Sequence, residues 1–158
     1  MPLTPDAQAR NDREVAKYPP EGKQSAVLAA LAVAQDQYGW LSAEAQDEVA
    51  HYLGLPPILV QEVATFYTMY NVKPVGRFKL NICTNLPCAL SGAEHAGQYL
   101  RKKLGIEWGE TTPDGRFTLL ESECMGACGD APVMLVNNKQ MCSLMSDEKI
   151  NALLDGLK

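Results

Sequence analysis

The sequence predicts an α+β chain in two parts: a helical bundle over residues 1–75, then an α/β domain over residues 76–158. Apolar residues recur at helical spacing through the first part, and the pattern switches to alternation at Arg77. Between the two, Asn71, Pro74 and Gly76 form a run of chain breakers, which sets the boundary. With 158 residues and 46% apolar content, the chain has material for packed cores and too much hydrophobicity for disorder.

Each element has its own signal. Residues 6–17 form a polar, charged helix candidate that Pro19 and Pro20 end. Residues 24–38 place Val27, Leu28, Leu31 and Tyr38 on one helical face, with Gly39 as the stop. Ser42 suits the N-cap of a helix over residues 43–53, with Glu44 and Asp47 early in it and Gly54 after it. Pro57 suits the first turn of a helix over residues 58–69, whose core candidates are Val60, Val63, Ala64 and Tyr67. The aromatic group Phe66, Tyr67 and Tyr70 reads as helix core and interface.

In the second part, residues 77–82 read as a strand ending at Cys83. Residues 88–104 read as one helix closed by Gly105, with Arg101, Lys102 and Lys103 in its last turn, where cations are favoured. After a turn at residues 113–115, a second strand over residues 117–123 runs into Cys124. Residues 133–136 and 140–144 read as a hairpin about Asn137 and Asn138, and Ser146 caps a last helix over residues 147–157.

Four of the five cysteines fall in two close pairs, Cys83 with Cys88 and Cys124 with Cys128, as C-x4-C and C-x3-C. Thiolates are soft ligands, and four of them suit an iron–sulfur cluster or zinc. Each pair follows a strand, so two adjacent strands can present the two loops side by side. Wide loops suit a two-iron core better than zinc, which commonly takes C-x2-C knuckles, but spacing alone leaves both open. A thiol–disulfide centre would use C-x-x-C, which the sequence lacks. Cys142, on the return strand of the hairpin, reads as a packed free thiol. His51 and His95 sit on helices away from the cysteines, unlike a mixed His/Cys site. Glu123 and Asp130 adjoin the second pair; a carboxylate facing an anionic centre there would resist its reduction.

Bulk properties narrow the function further. A net charge of −5 argues against nucleic acid as a partner. The longest apolar run, residues 26–34, is far short of the roughly 20 residues of a membrane span. With no apolar signal core at the start and an odd number of cysteines, the expectation is a protein of a reducing compartment. No glycine-rich nucleotide fingerprint is present, so this chain alone is not expected to bind NADH or flavin.

CTNLPC at positions 83–88 and ECMGACGDAPVMLVN at 123–137 resemble the thioredoxin-like 2Fe–2S ferredoxins. YGWLS at 38–42 and LPPILVQEVATFYTMYN at 55–71 extend the resemblance to the E-subunit family of bacterial NADH–quinone oxidoreductases, the small iron–sulfur subunits beside the flavin of respiratory complex I. It covers the chain from about Tyr18 onward. The resemblance implies a thioredoxin-like fold for the second part, with Cys83, Cys88, Cys124 and Cys128 binding one 2Fe–2S cluster. It implies a single-electron carrier without hydride chemistry of its own. Residues 1–75 would dock on the larger subunit that carries FMN, NADH and a 4Fe–4S cluster, within an assembly that includes larger iron–sulfur subunits. The implied location is cytoplasmic, peripheral to the inner membrane through the complex and without insertion into it. The same local chemistry would serve a component of a soluble NAD-linked hydrogenase or formate dehydrogenase. A zinc-stabilised interaction module is the non-redox alternative.

Overall fold

The computed structural model of the protein describes residues 2–157. The chain gathers into two compact units that divide between Pro74 and Val75. The first holds α1 (Pro5–Val15), a 3-10 helix (Pro20–Ala26), α2 (Val27–Tyr38), α3 (Ala43–Leu53) and α4 (Pro57–Phe66). Thr4 opens α1 by accepting the Ala7 N–H at 3.3 Å, and Ser42 opens α3 by accepting the Ala45 N–H at 3.2 Å. α2 packs against α1, α3 and α4, and Val27, Leu31, Leu41, Val49 and Val60 are buried in the common core.

Two expectations for this unit are corrected. Leu28, placed on the core face of α2, is 38% exposed. The buried face runs instead through Ala30, Leu31 and Ala34, where small side chains let neighbouring helices approach closely. α4 stops at Phe66 rather than Met69. Thr65, Phe66, Tyr67 and Thr68 are β-branched or aromatic, which are weak helix formers, and Tyr67 turns extended. Tyr67 is therefore 41% exposed and not a core residue. Tyr70 goes inside in its place, and its hydroxyl donates to the Leu28 carbonyl at 2.7 Å.

The second unit holds β1 (Phe78–Cys83), α5 (Leu86–Leu90), α6 (Ala93–Leu104), β2 (Phe117–Ser122), a 3-10 turn (Cys128–Asp130), β3 (Met134–Val136), β4 (Gln140–Cys142) and α7 (Asp147–Gly156). The sheet order is β2-β1-β3-β4. β1 runs parallel to β2, from Phe78 opposite Phe117 to Cys83 opposite Ser122. β3 is antiparallel to both β1 and β4. Leu80, Ile82, Leu119 and Met134 on one sheet face pack with Leu100 of α6 and Ile150 of α7. The hairpin turn falls where expected: Asn137 and Asn138 have φ of 51° and 55°, the left-handed pair of a primed turn.

The single helix expected over residues 88–104 is two. Gly92, with φ 97°, adopts a left-handed conformation that side-chain-bearing residues avoid, so the chain turns there between α5 and α6. The first of the two starts earlier than expected, at Leu86, with Pro87 in its first turn.

The polar half of the β1 alternation is also buried. Lys79 is 2% exposed and Asn81 7%, on the face opposite Leu80 and Ile82. Desolvation brings the Lys79 amine down to about 8. A folded pKa below the unfolded one costs stability fully below about 8, and the cost fades as pH rises toward the unfolded value of roughly 10.4. Denaturant unfolding of the parent and Lys79→Met across this window should show parent stability rising relative to the variant. A constant difference would mean that the amine does not titrate there.

Candidate metal centre

Cys83 closes β1, the strand with neighbours on both sides. Its N–H donates to the Val133 carbonyl at 3.1 Å, and the next amide, Thr84, donates to the Ser122 carbonyl at 3.1 Å as the last rung between β1 and β2. The chain then enters α5, which carries Cys88. Cys83 and Cys88 are each 1% exposed, enclosed with Ala93 and Val133. Cys124 and Cys128 follow β2 and are exposed. Gly126 between them has φ 77°, which curls the backbone so that its N–H donates to Cys124 Sγ at 3.4 Å.

The thiols fall in two pairs whose charges act on each other. Cys124 Sγ and Cys128 Sγ lie 3.5 Å apart. Two thiolates on one tetrahedral ion with bonds of about 2.3 Å stand roughly 3.7 Å apart, so this pair fits a shared metal atom. Burial, then the hydrogen bond with Cys83, pushes the Cys88 thiol up, and the charge of Cys128 adds to this. Cys124 and then Cys83 act on Cys128 in the same direction. The Cys124 thiol is lowered, first by the Gly126 N–H and next by Cys128. The structure thus brings both pairs within mutual electrostatic reach at one end of the sheet.

Among the described residues, no three His, Cys, Asp or Glu side chains close on a single metal ion. A two-iron core distributes four thiolates over two metal atoms, which suits two separate pairs. The candidate donors are all sulfur, which suits such a core, and the backbone at Gly126 supplies a hydrogen bond to sulfur.

The other candidates lie elsewhere. Cys142, on β4 opposite Met134, is half-buried against the core of the second unit, and burial raises its thiol. His51 is exposed on α3, and His95 on α6 has Nε2 3.1 Å from Asp147 Oδ1. Glu123 and Asp130 are not enclosed with the buried cysteine pair. Sequence reasoning missed Asn85, whose Nδ2 donates to Glu123 Oε2 at 2.6 Å. The register of the two strands is the signal that could have found it, since both residues lie just past the aligned ends.

This arrangement, a β-α-β unit followed by a hairpin and a helix with cysteine pairs at the strand ends, defines a class of small thiol-rich ferredoxin folds. The thioredoxin-like [2Fe-2S] ferredoxin family matches residues 11–158, and the chain belongs to that family. The chain is 46% identical to the E subunit of the NADH-quinone oxidoreductase of Rickettsia bellii, over 91% of this chain and 86% of that protein. It is 40% identical to the NADH-quinone oxidoreductase subunit 2 of Thermus thermophilus, over 97% of this chain and 84% of that one. In fold it resembles an NAD+-reducing [NiFe]-hydrogenase chain with a TM-score of 0.69 at 24% identity; the match covers 80% of this chain and 22% of the hydrogenase chain.

Cys142 is the control for the ligand set. Cys142→Ala should leave the metal content of the purified protein unchanged and cost about 1 kcal/mol of stability through lost packing. Metal loss in this variant, read by elemental analysis, would put Cys142 among the ligands.

Proposed function

We propose that the chain is the small electron-carrying subunit of an NADH–quinone oxidoreductase, with Cys83, Cys88, Cys124 and Cys128 holding one 2Fe–2S cluster. The observation that carries the reading is that the two cysteine pairs leave the aligned ends of β1 and β2, near enough for their charges to act on each other. Its sequence relatives support the parent complex. When bound, such a cluster supplies one-electron chemistry. Cys83 and Cys88 would hold it from buried positions, and Cys124 and Cys128 from exposed ones that a redox partner could approach. The Gly126 N–H stabilises negative charge on Cys124 Sγ.

Hydride chemistry belongs to a partner subunit that carries FMN and NADH, and this chain relays electrons one at a time. Its place is on the cytoplasmic side, peripheral to the membrane through the complex. Among the described residues no helix is long and apolar enough to cross a membrane. Residues 1–75 serve to dock on the flavin-bearing subunit, in keeping with the apolar side chains this part leaves outside: Phe66 is 76% exposed, Ile58 56% and Met69 41%.

Protein purified without oxygen should contain iron and acid-labile sulfide in equal amounts, about two of each per chain, and give an EPR signal only after one-electron reduction. Stoichiometric zinc without sulfide would overturn the cluster. The protein that co-purifies with the chain decides between the respiratory complex and a hydrogenase or formate dehydrogenase.

Docking is tested at the surface. Phe66→Ser should weaken binding to the flavin-bearing subunit by roughly tenfold in a titration, with iron content unchanged. Equal affinity would remove this face from the interface.

A further inference from the structure

We propose that Asn85 and Glu123 form a clasp that sets the spacing of the two cysteine loops, making them a positioning pair for the cluster; this rests on the four-cysteine reading above. β1 and β2 stay in register as far as Cys83 opposite Ser122, and the Thr84 N–H bond to the Ser122 carbonyl, 3.1 Å, is the last backbone rung. Past it the two chains diverge, one into Cys88 and the other into Cys124. Asn85 Nδ2 bonded to Glu123 Oε2 at 2.6 Å adds one more rung, made of side chains, at the point of divergence.

The position of Asn85 makes the bond telling. Asn85 is the N-cap of α5, and its carbonyl accepts the Ala89 N–H at 2.9 Å. An N-cap asparagine ordinarily turns its side chain onto the first amides of its own helix. Here the side chain makes no such bond and reaches across to the other loop. Its backbone is fixed by the helix it starts, so the amide is a short, anchored arm. Glu123 directly precedes Cys124, so a bond that holds its side chain restrains the backbone leading into the second pair. The bond is charge-assisted, which makes it stronger than a neutral pair.

The test removes the bond, with Asn85→Ala at the parent's charge and with Asn85→Asp by repulsion, and then restores it reversed; both single variants should lose the cluster faster than the parent. Asn85→Asp sets two carboxylates against each other and opens the clasp. Asn85→Asp combined with Glu123→Gln reverses donor and acceptor and keeps the parent's net charge. Cluster loss to an iron chelator, followed by absorbance on the holoprotein, should be about five- to tenfold faster in Asn85→Asp and return to within about twofold of the parent in the double variant. The EPR signal of the reduced protein should broaden and recover in the same order. Hydrogen exchange of the amides of residues 84–86 and 88 in metal-free protein should follow the same order too. Parent-like cluster loss in either single variant, or no recovery in the double variant, would overturn the clasp. A parent protein without iron and sulfide would overturn the four-cysteine reading instead, and the exchange measurement on metal-free protein would still decide the clasp.

Discussion

The in-register parallel pairing of β1 with β2 is the constraint on which the cysteine site depends. Parallel neighbours cannot be joined by a tight turn; the chain must cross over the sheet and return. Here α5, α6 and the segment leading to β2 make that crossing. Because both strands point the same way, their ends share one edge of the sheet, and loops leaving from both ends start side by side. An antiparallel pairing would have put the two cysteine pairs at opposite edges. The register then sets which residues face each other, and it places Cys83 level with the start of the second loop.

The site this produces is lopsided. β3 lies along the other side of β1, and the Val133 carbonyl takes the Cys83 amide, so the first pair is walled in. On the other side of β2, residues 109–112 hydrogen-bond to Phe117 and Leu119 near its start, and the second pair, which follows its end, is exposed. Charge on sulfur is therefore in a low-dielectric setting at one pair and a screened one at the other. Burial raises the Cys88 thiol; in the exposed pair a backbone amide lowers Cys124 while Cys124 in turn raises Cys128.

Much of this was legible in the sequence because it is written in short-range chemistry. Ser42 and Ser146 announce helix starts by side chains that reach their own backbone, and Asn137 with Asn138 announces a turn. Cysteine spacing is equally local. What was not legible depends on partners distant in sequence. Leu28 and Val27 are equally apolar, and only the packing of neighbouring helices decides that one is exposed and the other buried. Tyr67 left the core because a helix ended one turn early. The Ser91–Gly92 break was present as a turn-prone dipeptide, but the helical pattern on either side of it hid the break. The alternation in β1 marked a strand but not the burial of its polar positions: Lys79 and Asn81 are buried as well as Leu80 and Ile82.

The central place of β1 also has a consequence in time. Both of its neighbours are encoded downstream, so β1 leaves the ribosome before either strand that will pair with it. Cys83 and Cys88 are synthesised early, but Val133, which helps enclose them, arrives only after α6 and β2 have been made. Through that stretch of translation the two thiols that the folded protein shields best are open to any oxidant or stray metal ion. On the proposed cluster reading, loading the site is accordingly a task for the finished sheet, and protection of its oldest cysteines in the interval falls to the cell.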